Sequence, residues 1–270
     1  MKYLKILIRS LIDFIKDGGL ILAGSISYFT MMALVPFCLF LITIFSYFLG
    51  HYEGFYQFFS NRLIYFFPDI TSEITKQLGK LIRFKGIGAF SIILYGFLSL
   101  PLFSSIENAL NIIFKVEKKR TFFWSLLISL IILTLIIFML SISFAATSMI
   151  HLLKAFQPSF PELRIGLITG FLLRYIVPFI MVLFTTMIVY LFFPKTKVKA
   201  KHAFIGAFFT TVFLEIAKHF FTWYVGTVVQ FGTIYGPLTA FVVFLLWVFY
   251  SSCILLIGAE IVHNLGNYRK

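Results

Sequence analysis

The residues able to do chemistry in this chain are few, and most lie inside apolar surroundings. Glu215, Lys218 and His219 stand at i, i+3 and i+4, so a helix carries them on one face. Counting back from the outer end of their apolar run places Glu215 roughly 16 Å deep, near the middle of a bilayer. Arg174, on the preceding run, lies about 6 Å below the same surface, with a side chain long enough to reach inward. An ionisable group in hydrocarbon is expensive, and by default it marks a function or a compensating partner. Two readings follow. Either Glu215 pairs with Lys218 or Arg174 and fixes helix register, or Arg174, Glu215, Lys218 and His219 line a polar pathway for an ion or solute.

A second polar group gathers at the opposite ends of two runs. Glu107, Asn108 and Asn111 close one run, and Glu107 and Asn111 share a face by their i, i+4 spacing. Glu260, beside Gly258 and Ala259, is similarly placed near the end of the last run. These four read as helix ends solvated by water and headgroups, or as a cytoplasmic-end polar site. In a lipid-acting enzyme, Glu107 or Glu260 would supply the acid or base. A metal-dependent nuclease needs His and carboxylate ligands brought together around the ion. The five histidines, His51, His151, His202, His219 and His263, are scattered, with no paired spacing and no aspartate cluster near them. No metal, cofactor or nucleophile constellation is expected, and the chain reads as a non-enzyme.

The elements that must hold these residues are long and apolar. Of 270 residues, 60% are hydrophobic and 12% charged, and the mean hydropathy is +0.99. A soluble domain carries about 25% charged residues, so this chain cannot cover a compact body with polar surface. Lipid must be its solvent. Apolar runs extend over about 20–50, 86–114, 122–150, 170–193, 203–225 and 237–262, each near or above the roughly 20 residues that cross a bilayer as a helix. The expected fold is all-α, a single polytopic membrane domain with six transmembrane helices. Ala23, Gly24, Ser25 and Ser27 permit close helix approach in the first run. Pro36 is expected to kink that run, and Pro101 and Pro178 interrupt two others. They read as the breaks of a transporter or as ordinary membrane prolines.

Residues 1–17 set Lys2, Lys5, Arg9, Asp13 and Lys16 against Leu4, Ile8, Leu11, Ile12 and Ile15, the pattern of an amphipathic helix lying in the membrane interface. The stretch 51–85 mixes aromatic and basic residues and reads as further interfacial helices broken at Pro68. The net charge of +13 suggests orientation rather than nucleic acid, since no aromatic-basic module accompanies it. With the N-terminus inside, fourteen Lys and Arg fall in inner segments and seven in outer ones, which favours both termini in the cytoplasm. Lys195, Lys197, Lys199 and Lys201 alternate in one inner loop and are expected to contact the headgroups of anionic phospholipids. The uncharged loop 226–235 reads as an outer gate or a tight hairpin. Cys38 and Cys253 lie in apolar runs without metal or redox spacing and read as packing residues.

The segment AGSISYFTMMALVPFCL, Ala23 to Leu39, resembles the first-span signature of the YihY/virulence factor BrkB family of bacterial inner-membrane proteins. Ala109-Leu110-Asn111 followed by Arg120, Tyr190 with Pro194, and Gly206-Ala207 extend the resemblance. So do Tyr235-Gly236-Pro237-Leu238, Leu245-Leu246-Trp247 and Gly258-Ala259-Glu260. The likeness covers nearly the whole chain. It departs at Leu191, where a basic residue is common in the family, and at Ile205, where a proline is. The resemblance implies a six-span inner-membrane protein of unsettled activity, and members have also been labelled ribonuclease BN. Together the residues and the resemblance lead to a transporter or exporter with a polar interior, moving a small molecule, ion or lipid. The alternative is an envelope or lipid-binding scaffold. Oligomeric state stays open, and a homo-oligomer is compatible with either.

Overall fold

A computed structural model describes residues 2–49, 87–116, 176–227 and 239–267, and every regular element among them is a helix. In chain order these are α1 (Lys2–Lys16), α2 (Gly19–Leu49), α3 (Ile87–Ile113), α4 (Val177–Phe192), α5 (Ala200–Thr227) and α6 (Thr239–Asn267). The expected run 122–150, Arg174, Pro68 and the loop 228–238 fall outside the described residues. Helix α2 continues through Pro36 and α3 through Pro101. Pro178 lies at the start of the described part of α4.

Among the described residues two segments pass as long and apolar enough to cross a membrane, Ala200–Phe221 and Phe241–Gly266, and only 22% and 17% of their most apolar windows is buried in the protein. The central helix of a soluble protein would be mostly buried. Here Phe204, Phe208, Phe213, Ile216 and Phe220 of α5 and Phe241, Leu245 and Tyr250 of α6 face outward, a surface whose natural solvent is lipid. Gly19–Leu34, the first part of α2, and Val177–Phe192 are further apolar helical segments.

The chain divides into two compact units. One holds Met1–Gly19, Glu107–Ile216 and Ile254–Lys270; the other holds Leu20–Ile106 and Ala217–Cys253. In the second unit Ser25 and Ser105 join α2 to α3 through a hydroxyl pair at 2.9 Å. Ala23 and Ser27 are buried, and Ser27 satisfies its hydroxyl on the Ala23 carbonyl oxygen at 2.7 Å. Gly24 has nothing within 4 Å of where a Cβ would stand, so the small-residue stripe packs on one side only. Phe221 of α5 meets Trp247 of α6 with ring centroids 5.2 Å apart.

The first unit is built on α1. Ile6, Ser10 and Phe14, four residues apart in succession, turn into the protein. Leu4, Ile8, Leu11, Ile12 and Ile15 lie on the far side and are exposed, while Lys5, Arg9 and Lys16 are exposed on a polar flank. The helix therefore has a protein face, an apolar outer face and a charged edge between them. It ends where Gly18 takes φ +71, with its N–H on the Ile15 carbonyl at 3.2 Å. Glycine enters that left-handed conformation without a Cβ clash.

Candidate functional site

Among the residues expected to form an intramembrane site, Glu215 is half-buried rather than enclosed, and Lys218 and His219 are exposed on α5. Their i, i+3, i+4 spacing does set them on one side of the helix, but this end of α5 is exposed over much of its circumference, Ile216 and Phe220 included. A helix that changes neighbours along its length need not turn its polar stripe inward. The closed polar interior lies elsewhere, in the unit that contains α1.

Its first element is an ion pair. Lys195 Nζ lies 3.6 Å from Glu107 Oε1, with the two side chains 9% and 12% exposed. The backbone N–H of the same lysine donates to Asn111 Oδ1 at 3.2 Å. The i, i+4 pair on α3 thus grips one residue at two atoms, while Asn108, off that face, is exposed. This corrects two expectations. Glu107 is not a solvated helix end, and Lys195 does not reach lipid headgroups. The reason is the loop after α4, where Phe193 and Pro194 are buried and carry Lys195 inward against α3. Lys197, Lys199 and Lys201 remain exposed.

The second element joins α1 to α6. Asn264 Nδ2 donates to Ser10 Oγ and to Asp13 Oδ2, both at 3.1 Å, and Arg9 lies 3.6 Å from the same Asp13 oxygen. Lys115 pairs with Asp17. Lys115 closes α3 at φ 55, with the Val116 N–H reaching back to the Asn111 carbonyl at 2.9 Å and the Lys115 N–H to Ile112 at 3.0 Å. A non-glycine residue in this helix-closing position carries a conformational cost of order 1 kcal/mol, held here by the tie to α1. Glu260, one turn before Asn264, is wholly buried, and neither carboxylate oxygen has a hydrogen-bond donor. The expectation of a solvated helix end is therefore overturned for Glu260 as well. The charged groups acting on it are Asp17, Lys115 and Asp13. Asn264 had not been singled out, although its place four residues after Glu260 on one helix face was a usable signal.

The third element is a seam of hydroxyls. Tyr190 of α4 is fully buried, with its OH 2.6 Å from the Leu255 carbonyl oxygen and 2.7 Å from Thr210 Oγ1. A carbonyl only accepts, so the tyrosine proton goes to Leu255 and Thr210 donates to the tyrosine oxygen. Glycines make room for this. A Cβ on Gly206 would stand 2.9 Å from the Gly258 carbonyl oxygen, and one on Gly258 would overlap Thr210 Oγ1 and Tyr190 OH. Helices α5 and α6 meet backbone to backbone there, as membrane helices do at small residues. Among the described residues no three His, Cys, Asp or Glu side chains converge as a metal cage.

A chain that is helical throughout its described residues, with apolar faces turned outward on α5 and α6, is an α-helical membrane protein. It belongs to the virulence factor BrkB family, whose profile matches residues 11–270. A UPF0761 membrane protein of Haemophilus influenzae (strain 86-028NP) is 30% identical over 244 residues, covering 90% of this chain and 88% of its own. Another, of Actinobacillus pleuropneumoniae serotype 5b (strain L20), is 31% identical over 255 residues, covering 92% and 88%. A third, of Mannheimia succiniciproducens, is 29% identical over 248 residues, covering 92% and 84%. No solved structure matches.

Proposed function

We propose that this protein crosses the bacterial inner membrane six times with both termini in the cytoplasm, and that it moves a solute, ion or lipid without catalysing a covalent step. The observation that carries the reading is the buried polar set on three helices: Thr186 on α4, Thr210 and Thr211 on α5, and Glu260 and Asn264 on α6. Polar side chains kept inside a lipid-facing bundle are costly and belong by default to a pathway. The test is flux in proteoliposomes against a panel of metabolites, ions and lipids. Protein-dependent movement of one class is expected, and no flux across the panel returns the reading that follows.

That second reading is a lipid-binding envelope scaffold. It is favoured by the mutual satisfaction of Tyr190, Thr210 and Leu255, and by the outer apolar face and basic flank of α1. Such a helix suits an anionic interface. With exposed Lys197, Lys199 and Lys201 it would hold anionic phospholipid without moving anything.

The topology has its own check. In a background with Cys38→Ala and Cys253→Ala, an impermeant thiol reagent applied from outside is expected to label Gly232→Cys and to leave Lys199→Cys unlabelled. The reverse pattern inverts the orientation.

A further inference from the structure

The carboxylates of Asp13 and Asp17 at the end of α1 and of Glu260 near the end of α6 lie in one polar region, and the first two have cations beside them. Asp13 lies beside Arg9, and Asp17 is paired with Lys115. Glu260 is the third. It is 0% exposed and both of its oxygens lack a donor. Asn264 does not supply one, because its Nδ2 is committed to Ser10 and Asp13. Asn264 of α6 meets Asp13 of α1. Asp17 follows Asp13 by one turn, its N–H on the Asp13 carbonyl at 2.8 Å, and Glu260 precedes Asn264 by one turn. The two carboxylates therefore succeed that contact on the same helix faces, and Asp17 acts on Glu260.

Two neighbouring carboxylates, one of them buried without a donor, cannot both carry charge at tolerable cost. Counting Asp13 with Arg9 and Asp17 with Lys115 as neutral pairs leaves one negative charge. A single positive charge cancels it. A metal ion would need a cage of several ligands, and among the described residues none converges. A proton needs only one carboxyl oxygen to bind.

We propose that Asp17 and Glu260 form a proton-binding site in which one proton is shared between the two carboxyl groups. Uptake takes the proton from water by way of Asp17, whose side chain keeps some exposure, and forms one O–H bond on a carboxyl oxygen. No other bond changes, and the site becomes neutral. The charged and titratable groups around the pair are Arg9 and Asp13 from α1, Lys115 after α3, and His263 on α6. Loss of the proton sets two carboxylates against each other across the α1–α6 contact and loosens α1. As the coupling ion of a transporter, a role that rests on the function proposed above, the proton would act through that helix.

The experiment is infrared spectroscopy of the full-length protein in lipid nanodiscs at neutral pH. The wild type is expected to show the carbonyl stretch of a protonated carboxylic acid, shifting in deuterium oxide. Glu260→Gln should abolish it and Asp17→Asn should move or abolish it. Should either variant fail to fold, titration of the wild type alone is expected to remove the band at alkaline pH as a single acid. Absence of the band in the wild type, or its persistence in both variants, overturns the proposal. So does thermal stabilisation by sodium in a protein without the band, which would assign the site to a metal cation. A protein that shows the band but moves nothing in proteoliposomes keeps the proton site and loses the transport reading.

Discussion

Gly258→Ala is expected to lower the apparent melting temperature in detergent by roughly 5–10 °C, the response to a loss of about 2–4 kcal/mol in a chain of this size. The new methyl group would overlap Thr210 Oγ1 and Tyr190 OH, and the Gly206 carbonyl oxygen stands 3.3 Å away. Overpacking of a tight contact costs about 1–3 kcal/mol. The atoms displaced are also a buried hydrogen-bonding set, so moving Tyr190 leaves the Leu255 carbonyl without its donor, at a further cost of about 1–3 kcal/mol. Better helix propensity returns up to about 1 kcal/mol. Gly258→Leu should yield no folded protein. Gly24→Ala is the control, because open space surrounds the position and the same propensity gain leaves it neutral or slightly more stable. Equal melting of the two alanine variants would refute the backbone contact between α5 and α6.

The second large effect is expected at the Glu107–Lys195 pair. Lys195→Met removes the cation and leaves Glu107 nearly buried with its charge, a change that costs on the order of 3 kcal/mol when a buried pair is broken. Glu107→Gln should destabilise less, since the glutamine oxygen still accepts from the lysine. Removing both charges with Glu107→Leu and Lys195→Met should recover much of the loss, because partners in one pair are not additive. Lys199→Met, on an exposed residue of the same loop, should change stability by no more than about 0.5 kcal/mol. Equal, small effects at Lys195 and Lys199 would place both lysines in solvent and sink the pair. Full additivity in the double variant would do the same.

The contrast between Lys195 and its neighbours marks where reading the chain stopped working. Four lysines at alternate positions look equivalent, and nothing in their spacing separates the one that Phe193 and Pro194 carry inward. The two sides of the pair lie 88 residues apart in number, beyond the reach of any periodicity. Asn264 with Ser10 and Asp13 is a still more distant case.

What the chain's own residues determined is the solvent and the secondary structure. Apolar runs long enough to cross a bilayer leave the backbone no partners except its own, so helices follow from composition alone. The apolar stripe of α1 and the shared face of Glu107 and Asn111 follow from the 3.6-residue period in the same way. Tertiary structure decided which polar groups are enclosed. It left Glu215, Lys218 and His219 on a side of α5 that is not enclosed and buried Glu260. Depth along a helix can be counted from sequence. Burial depends on which neighbour covers a given side, and that is set by contacts such as Gly206 against Gly258, which bring together segments distant along the chain.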